Sequence, residues 1–421
     1  MKRPLFFART LVASSLLVAC SPSPTSTQDQ DDLATTTSAS PTSLSDNYSD
    51  TASTALASTE MCHIEDLYEA DGTFQTNLVG FPRPEVVQSP KVLVLPFSFS
   101  DGEPPTKQLG GSLGALKGAS HFFEEISWGK AILTFEVAPQ ELWLKIPKTA
   151  AEMGFSKESP GSASPFKILD YMDPALSVND YDIVYLIGSP DLTQHATAMM
   201  ELDPRDTPHE GPAGTVSRAV MITFNHNDSI LAAHELGHAW LNLWDLYNMQ
   251  EGITDFVGLN RFDLMFSAVP TEYNASDMTI WNKYLAGWVD PDQIRCITDA
   301  GISTHFINTN SLTSDFAKAI VVKISETKIL VIDTWRKSEF NRCCNETIAY
   351  VVDVSRMNGA GPFRLQGALK NPGDQLVLDG TVLSTNSKWT FRPNESLTIS
   401  NVTIRLLDSD DSGALVEVIT G

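Results

Sequence analysis

The sequence predicts an α+β protein, in which a mixed sheet covered by helices is followed by a β-rich C-terminal domain. Up to about residue 290, apolar segments typical of strands alternate with segments of helical spacing. Beyond about Pro291 the chain consists of short β-branched runs separated by Gly, Asn and Pro, which is typical of a β domain. The chain has 421 residues, enough for two such domains.

The first twenty residues predict a secretory signal peptide. They begin with basic side chains, continue with a short apolar run and end in Leu17-Val18-Ala19-Cys20. This ending is similar to a bacterial lipobox, whose cysteine is lipidated and becomes the mature N-terminus. Ser21 after Cys20 favours, by the same resemblance, anchoring in the outer membrane. The alternative is an ordinary signal peptide with an incidental cysteine.

Residues 21–60 are rich in Ser, Thr, Asp and Ala and contain almost no bulky apolar side chain. Such a segment buries too little surface to offset its ordering entropy, so we expect a flexible tether. The whole chain is acidic, with 29 Lys and Arg against 52 Asp and Glu and a net charge of −23. Loss of Lys2, Arg3 and Arg9 with the signal makes the chain still more acidic. Nucleic acid and anionic lipid surfaces are therefore poor partners.

Four cysteines remain besides Cys20, and an even number in an exported chain predicts disulfides. They are Cys62, Cys296, Cys343 and Cys344. Four cysteines allow three pairings. A bond between the two adjacent cysteines is strained, which favours pairing of Cys62 and Cys296 each with one of Cys343 and Cys344.

The individual elements follow from local patterns. Apolar runs predict strands, and a run of helical spacing that stops at Gly129 predicts a helix. The predicted strands are 91–99, 131–137, 181–188, 219–224, 319–324, 329–332 and 349–354. A second helix is expected from about Ile230, because several polar side chains in Asn225–Ser229 are suited to cap its first turn.

This second helix carries the segment HELGH, residues 234–238. On a helix, residues four apart lie on one face, so His234 and His238 can direct two imidazole nitrogens at one metal ion. Glu235 lies one position round the helix, close enough to reach a water on that metal. A bound zinc ion lowers the pKa of such a water and polarises a carbonyl, while a carboxylate accepts the proton. The spacing predicts a unit for peptide hydrolysis.

A catalytic zinc ion with two histidine ligands needs a third protein ligand. In the pattern H-E-x-x-H-x-x-G-x-x-H, a glycine in a left-handed turn brings that ligand back to the metal. Leu241 occupies the glycine position here, but the next residue is Asn242, which tolerates the left-handed conformation. A helix that turns at Asn242 places Asp245 at the interval of the last ligand. Asp245 is the predicted third ligand.

HELGH followed by Asp-Leu-Tyr resembles the immune inhibitor A-like family of secreted bacterial metallopeptidases, whose pattern H-E-x-G-H-x-x-G-x-x-D ends in an aspartate. The resemblance spans roughly residues 90–295. Its further segments are Phe262–Ser267, similar to the methionine turn of the family, Met278–Pro291, His121–Lys130 and Pro90–Asp101. The resemblance implies a zincin-like fold, with His234, His238 and Asp245 as zinc ligands and Glu235 as the general base.

The expected organisation is a lipoprotein signal at 1–20, a tether at 21–60, a zincin-like catalytic domain at 61–295 and a β-rich domain at 296–421. The expected function is zinc-dependent endopeptidase hydrolysis of extracytoplasmic proteins or peptides, with the membrane contacted through lipidated Cys20. The alternative is a surface binding or adhesion lipoprotein that keeps this fold and has lost efficient catalysis, because the turn after His238 departs from the family pattern.

Overall fold

The fold is taken from a computed structural model. The residues that it describes are 43–44, 51–52, 56–64, 87–155, 165–188, 196–200, 208–223, 227–246, 262–266, 277–340, 346–356, 363–365, 376–378, 381–384 and 390–421.

The strands of the N-terminal half are β1 (Thr51–Ala52), β2 (Lys91–Ser98), β3 (Thr134–Val137), β4 (Leu144–Lys145), β5 (Ile183–Ile187), β6 (Ala196–Met200), β7 (His209–Gly211), β8 (Gly214–Val216) and β9 (Arg218–Ile222). The helices are α1 (Thr106–Ile126), α2 (Pro165–Leu169), α3 (Ser229–Leu241) and α4 (Ile280–Leu285). Five of these strands form a sheet in the order β3-β2-β5-β9-β6, and β4 also pairs with β2. All pairings are parallel except that of β6 with β9.

Both faces of this sheet are covered, which explains why β2 is a nearly continuous apolar run. Val92 and Val94 pack on the side of α1 and α3, while Leu93 and Leu95 face a second apolar cluster. Helices α1 and α3 approach closely at Gly118. A Cβ atom at this position would lie 2.1 Å from Ser229 Oγ, so the absence of a side chain permits the contact. Helix α3 therefore packs against both the sheet and α1.

The strands of the C-terminal half are β10 (Ile294–Ile297), β11 (Gly301–Asn308), β12 (Ala319–Ser325), β13 (Lys328–Trp335), β14 (Glu346–Asp353), β15 (Phe363–Leu365), β16 (Leu376–Leu378), β17 (Thr381–Ser384), β18 (Thr390–Phe391), β19 (Ser396–Ile399), β20 (Val402–Ser409) and β21 (Gly413–Thr420). They form two main sheets, β1-β11-β21-β20-β19 and β10-β12-β13-β14-β15, with β18 on β14, and a β16-β17 hairpin. The predicted order of a mixed α/β half followed by β-rich sheets is confirmed.

Strand β13 joins the two halves because both of its faces are buried. Leu330 and Ile332 face the core between the two C-terminal sheets. Ile329 and Val331 belong to the cluster that also contains α3 and α1. The period-two alternation of a strand thus places the C-terminal sheet directly against the helices of the N-terminal half.

The disulfide prediction was wrong, because Cys62 is bonded to Cys296, with a Cα–Cα distance of 5.8 Å. Residues 59–62 form a 3₁₀ turn that packs on β10 and β12, and Ala57 makes a β-bridge to Cys296. These contacts bring the two cysteines together across 234 positions of sequence. Cys343 and Cys344 lie outside the described residues.

Part of the predicted tether contacts the folded body. Strand β1 pairs antiparallel with β11, and Ala57 bridges to β10. The predicted boundary at 295 falls inside β10, which belongs to the C-terminal sheet. The described residues beyond Pro41 belong to one compact unit.

Among the described residues, no helix combines the length and the apolar character that crossing a bilayer requires.

Candidate metal site

Helix α3 presents His234 and His238 on one face. The helix begins after Asp228, whose carboxylate accepts hydrogen bonds from the backbone N–H groups of Ile230 and Leu231 at 2.9 and 3.1 Å. Because the two histidines are four positions apart, their Nε2 atoms lie 3.2 Å from each other, with the rings nearly perpendicular. The helix therefore directs two nitrogen atoms at one point.

A left-handed turn follows the helix and returns the chain to the histidines. Helix α3 ends at Leu241, and Asn242 adopts φ 59° and ψ 29°. The N–H of Leu243 donates to Gly237 O at 3.1 Å, which closes the helix end. Asp245 then lies with Oδ1 at 3.2 Å from His234 Nε2 and 3.1 Å from His238 Nε2. The turn is at the residue that the sequence predicts, and it brings the three predicted ligands together.

The other ring nitrogens are held by backbone carbonyls. His234 Nδ1 lies 3.1 Å from Leu264 O, and His238 Nδ1 lies 2.7 Å from Leu243 O. A carbonyl only accepts, so each Nδ1 carries the hydrogen and each neutral ring turns an Nε2 lone pair inward. Carbonyl partners of this kind fix the ring orientation in metal sites.

The geometry fits a small divalent cation. Two inward lone pairs and a carboxylate oxygen within 3.2 Å of one another repel unless a positive charge lies between them. Zinc–nitrogen bonds of about 2.0–2.1 Å in a tetrahedron give ligand separations of about 3.3 Å. The spacing of the three side chains thus matches one face of such a tetrahedron. In the described part of the chain, His234, His238 and Asp245 form a group of potential metal ligands whose donor atoms lie close enough together to hold one ion.

The electrostatics of the metal-free site show the same demand for positive charge. Burial lowers the pKa of His238, but the hydrogen bond and charge of Asp245, with the charge of Glu235, raise it to about 9 overall. Burial raises the pKa of Asp245, but the hydrogen bonds and charges of His234 and His238 outweigh this effect and lower it overall. A proton and a metal cation therefore compete for the same position.

The short helical turn Leu264–Phe266 forms the floor of the site. A Cβ atom at Gly237 would lie 2.6 Å from Met265 Sδ, so the glycine between the histidines lets the thioether pack directly beneath them. Met265 O accepts the N–H of Leu246 at 2.9 Å, next to Asp245. The floor thus contacts the segments that carry all three predicted ligands.

The side chains of the candidate site differ in their exposure to solvent. Glu235 is 6% exposed, and burial, followed by the charge of Glu235, raises the pKa of Tyr185 on β5. The side chains of His238 and Asp245 are 13% and 14% exposed, whereas that of His234 is 3% exposed. Within the described residues, His238 and Asp245 thus form the more exposed side of the group and His234 the more buried side.

Neither protein-family models nor curated proteins show a match to this chain.

Sequence patterns missed the buried residues that support the floor. Asp263 accepts the N–H of Met265 at 2.9 Å, and it also accepts bonds from Thr279 and Asn282 on the first turn of α4. An aspartate that bonds the backbone two residues further on is a known turn device, and this is the signal that was available in the sequence. The bonds to α4 had no such signal because they join separate elements.

Proposed function

We propose that this chain is a zinc-dependent endopeptidase with a zincin-like fold, which hydrolyses extracytoplasmic proteins or peptides. The observation that carries the proposal is the convergence of the Nε2 atoms of His234 and His238 with Asp245 Oδ1, each ring being fixed through Nδ1. Two histidines, one carboxylate and an open position are the ligand set of hydrolytic rather than structural zinc.

Each residue of the site has a defined task in this proposal. Zinc, when bound, polarises the peptide carbonyl and lowers the pKa of the attacking water. Glu235 accepts the proton of that water and later delivers it to the leaving amine. The carbonyls of Leu264 and Leu243 keep both rings in the tautomer that has a free Nε2.

The test is Glu235→Gln, which keeps the size of the side chain and removes its basicity. We expect about one zinc per chain in both proteins and a loss of about 10²–10⁴-fold in kcat on a casein-type substrate, because general base catalysis contributes a factor of that size. Glu136→Gln, an exposed change on β3, is the matched control and should keep full activity. Equal rates for wild type and Glu235→Gln would instead support the binding or adhesion alternative.

Export and lipid anchoring are part of the same proposal. The Cys62–Cys296 disulfide supports an oxidising compartment, since such bonds persist outside the cytoplasm. Cys20 lies outside the described residues, so the sequence alone supports its proposed lipidation. We expect Cys20→Ala to move the protein from the membrane fraction to the soluble fraction, as followed by immunoblot after cell fractionation. An unchanged membrane fraction would contradict anchoring through Cys20.

A further inference from the structure

Two buried carboxylates connect the C-terminal sheet to the floor of the metal site. Asp263 precedes the turn that contains Met265, and Asp333 lies on β13. Both are buried, at 1% and 0% exposure, and neither belongs to the candidate ligand set. The helix α4 lies between them and binds both.

Asp263 holds the floor of the site. Its Oδ1 accepts the Met265 N–H at 2.9 Å. Its Oδ2 accepts the Thr279 N–H at 2.8 Å, the Thr279 hydroxyl at 2.7 Å and the Asn282 amide at 2.9 Å. Four donors to one buried carboxylate hold the turn against the first turn of α4, because each lost bond would leave a buried donor unpaired.

The same turn holds the ligands. Leu264 O accepts from His234 Nδ1, and Met265 O accepts from the N–H of Leu246. The thioether of Met265 fills the space beneath Gly237. A shift of this turn would therefore rotate the His234 ring and move the segment that carries Asp245.

Asp333, on β13 of the C-terminal sheet, also holds the start of α4. Its Oδ2 accepts the Ile280 N–H at 3.0 Å and the Tyr350 hydroxyl at 3.3 Å, and its Oδ1 accepts Trp335 Nε1 at 2.6 Å. Tyr350 and Trp335 belong to strands of the C-terminal sheet. The first turn of α4 is thus tied to that sheet at one end and to the metal-site floor at the other.

We infer that Asp263 is a positioning residue for the metal ligands and that the C-terminal sheet sets the geometry of the metal site through Asp333 and α4. This inference rests on the proposed function, because it takes His234 and Asp245 as metal ligands. The β-rich half would thus influence metal affinity through these contacts and would not be a separate accessory domain.

The experiment compares Asp263→Asn and Asp333→Asn with wild type in the full-length protein. Zinc Kd is measured by competition with a chromophoric chelator, and ligand geometry by the visible spectrum of the Co²⁺-substituted protein. We expect at least a tenfold weaker zinc Kd and an altered Co²⁺ spectrum for Asp263→Asn, and a smaller change in the same direction for Asp333→Asn.

Asp353→Asn is the matched control, because it makes the same chemical change at a buried carboxylate of β14 that bonds Ser355 and Lys328. It should leave zinc Kd and the Co²⁺ spectrum unchanged even if it lowers stability. A folded Asp263→Asn protein with wild-type zinc Kd and spectrum would overturn the inference. If Asp263→Asn does not fold, Thr279→Val removes the 2.7 Å hydroxyl bond to Asp263 and the 3.4 Å capping bond from the Asn282 N–H, keeps the backbone bond to Asp263, and should shift zinc Kd in the same direction.

Amide hydrogen exchange of the metal-free protein separates this inference from the proposed function. Asp263→Asn should speed exchange at Met265 and Leu246, whose N–H groups depend on the turn. Faster exchange supports the positioning role even if wild type proves unable to bind zinc or cleave peptides, outcomes that refute only the proposed function. Unchanged exchange at both amides would overturn the positioning role.

Discussion

The metal site and the buried charge cluster next to it both bury ionisable groups, but they differ in what satisfies those groups. In the cluster, Asp277 Oδ1 lies 2.8 Å from Lys283 Nζ, and Asp333 receives three donors from the protein. In the candidate metal site, the Nε2 atoms of His234 and His238 lie 3.2 Å apart and both face Asp245 Oδ1. Burial of charge alone therefore does not mark a functional site, whereas converging acceptors call for a cation.

The cluster also shows how the protein stabilises cations without a ligand. Lys283 and Lys318 lie over the ring of Trp128 at 4.6 and 4.9 Å from its centroid. Lys318 additionally donates to Asn308 Oδ1 and to the carbonyls of Thr309 and Leu312. These amino groups belong to the chain itself, while the candidate metal site would receive its positive charge from an exchangeable ion or proton.

The largest expected effect is at the metal site. With free zinc at about a thousand times Kd, wild type should gain about 4 kcal/mol of unfolding free energy. His238→Ala removes one of the three proposed ligands and should abolish nearly all of this gain. Denaturant unfolding with and without zinc measures it, and His121→Ala, at an exposed histidine paired with Glu339, should keep it. An equal gain in His238→Ala would place the zinc elsewhere.

A smaller, metal-independent effect is expected in the charge cluster. Asp277→Ala leaves the Lys283 ammonium, which is fully buried, without its contacting carboxylate, and should cost about 3 kcal/mol in metal-free protein. The control is Glu136→Ala, which breaks the exposed pair with Lys91 and should cost less than about 1 kcal/mol. Similar losses in urea unfolding for both variants would contradict the distinction between the two kinds of pair.

The smallest effect concerns pH. Burial, followed by the charge of Lys283, lowers the pKa of Lys318 to about 7. Between about pH 7 and the unfolded value of about 10.4, the unfolded chain binds the additional proton, so unfolding free energy rises with pH by up to about 1.4 kcal/mol per unit. Below about pH 7 this contribution to the slope disappears.

Lys318→Met should flatten that slope, whereas Lys107→Met, at an exposed position of α1, should keep it. Unfolding free energies of both variants and wild type at pH 7, 8 and 9 make the comparison. A slope in Lys318→Met equal to that of wild type would show that other groups cause the pH dependence.

Local patterns predicted much of the fold and the contents of the metal site. The apolar run of β2 and the short β-branched runs of β12 and β13 predicted strands, and the polar residues before Ile230 predicted the start of the helix from Ser229 to Leu241. The turn at Asn242 follows from the conformational tolerance of asparagine. The pairing of Cys62 was predicted wrongly because its partner depends on how the 59–62 turn packs on β10.

The sequence by itself determined which side chains form the candidate site, because His234, Glu235, His238 and Asp245 are arranged by one helix and one turn whose geometry is local. Only the tertiary structure decided how those side chains are held. The bond from His234 to the Leu264 carbonyl, the bonds from Thr279 and Asn282 to Asp263 and the bond from Ile280 to Asp333 join residues 16 to 53 positions apart. No period in the sequence encodes such contacts, since they arise when separate elements pack and must satisfy each other's buried polar groups.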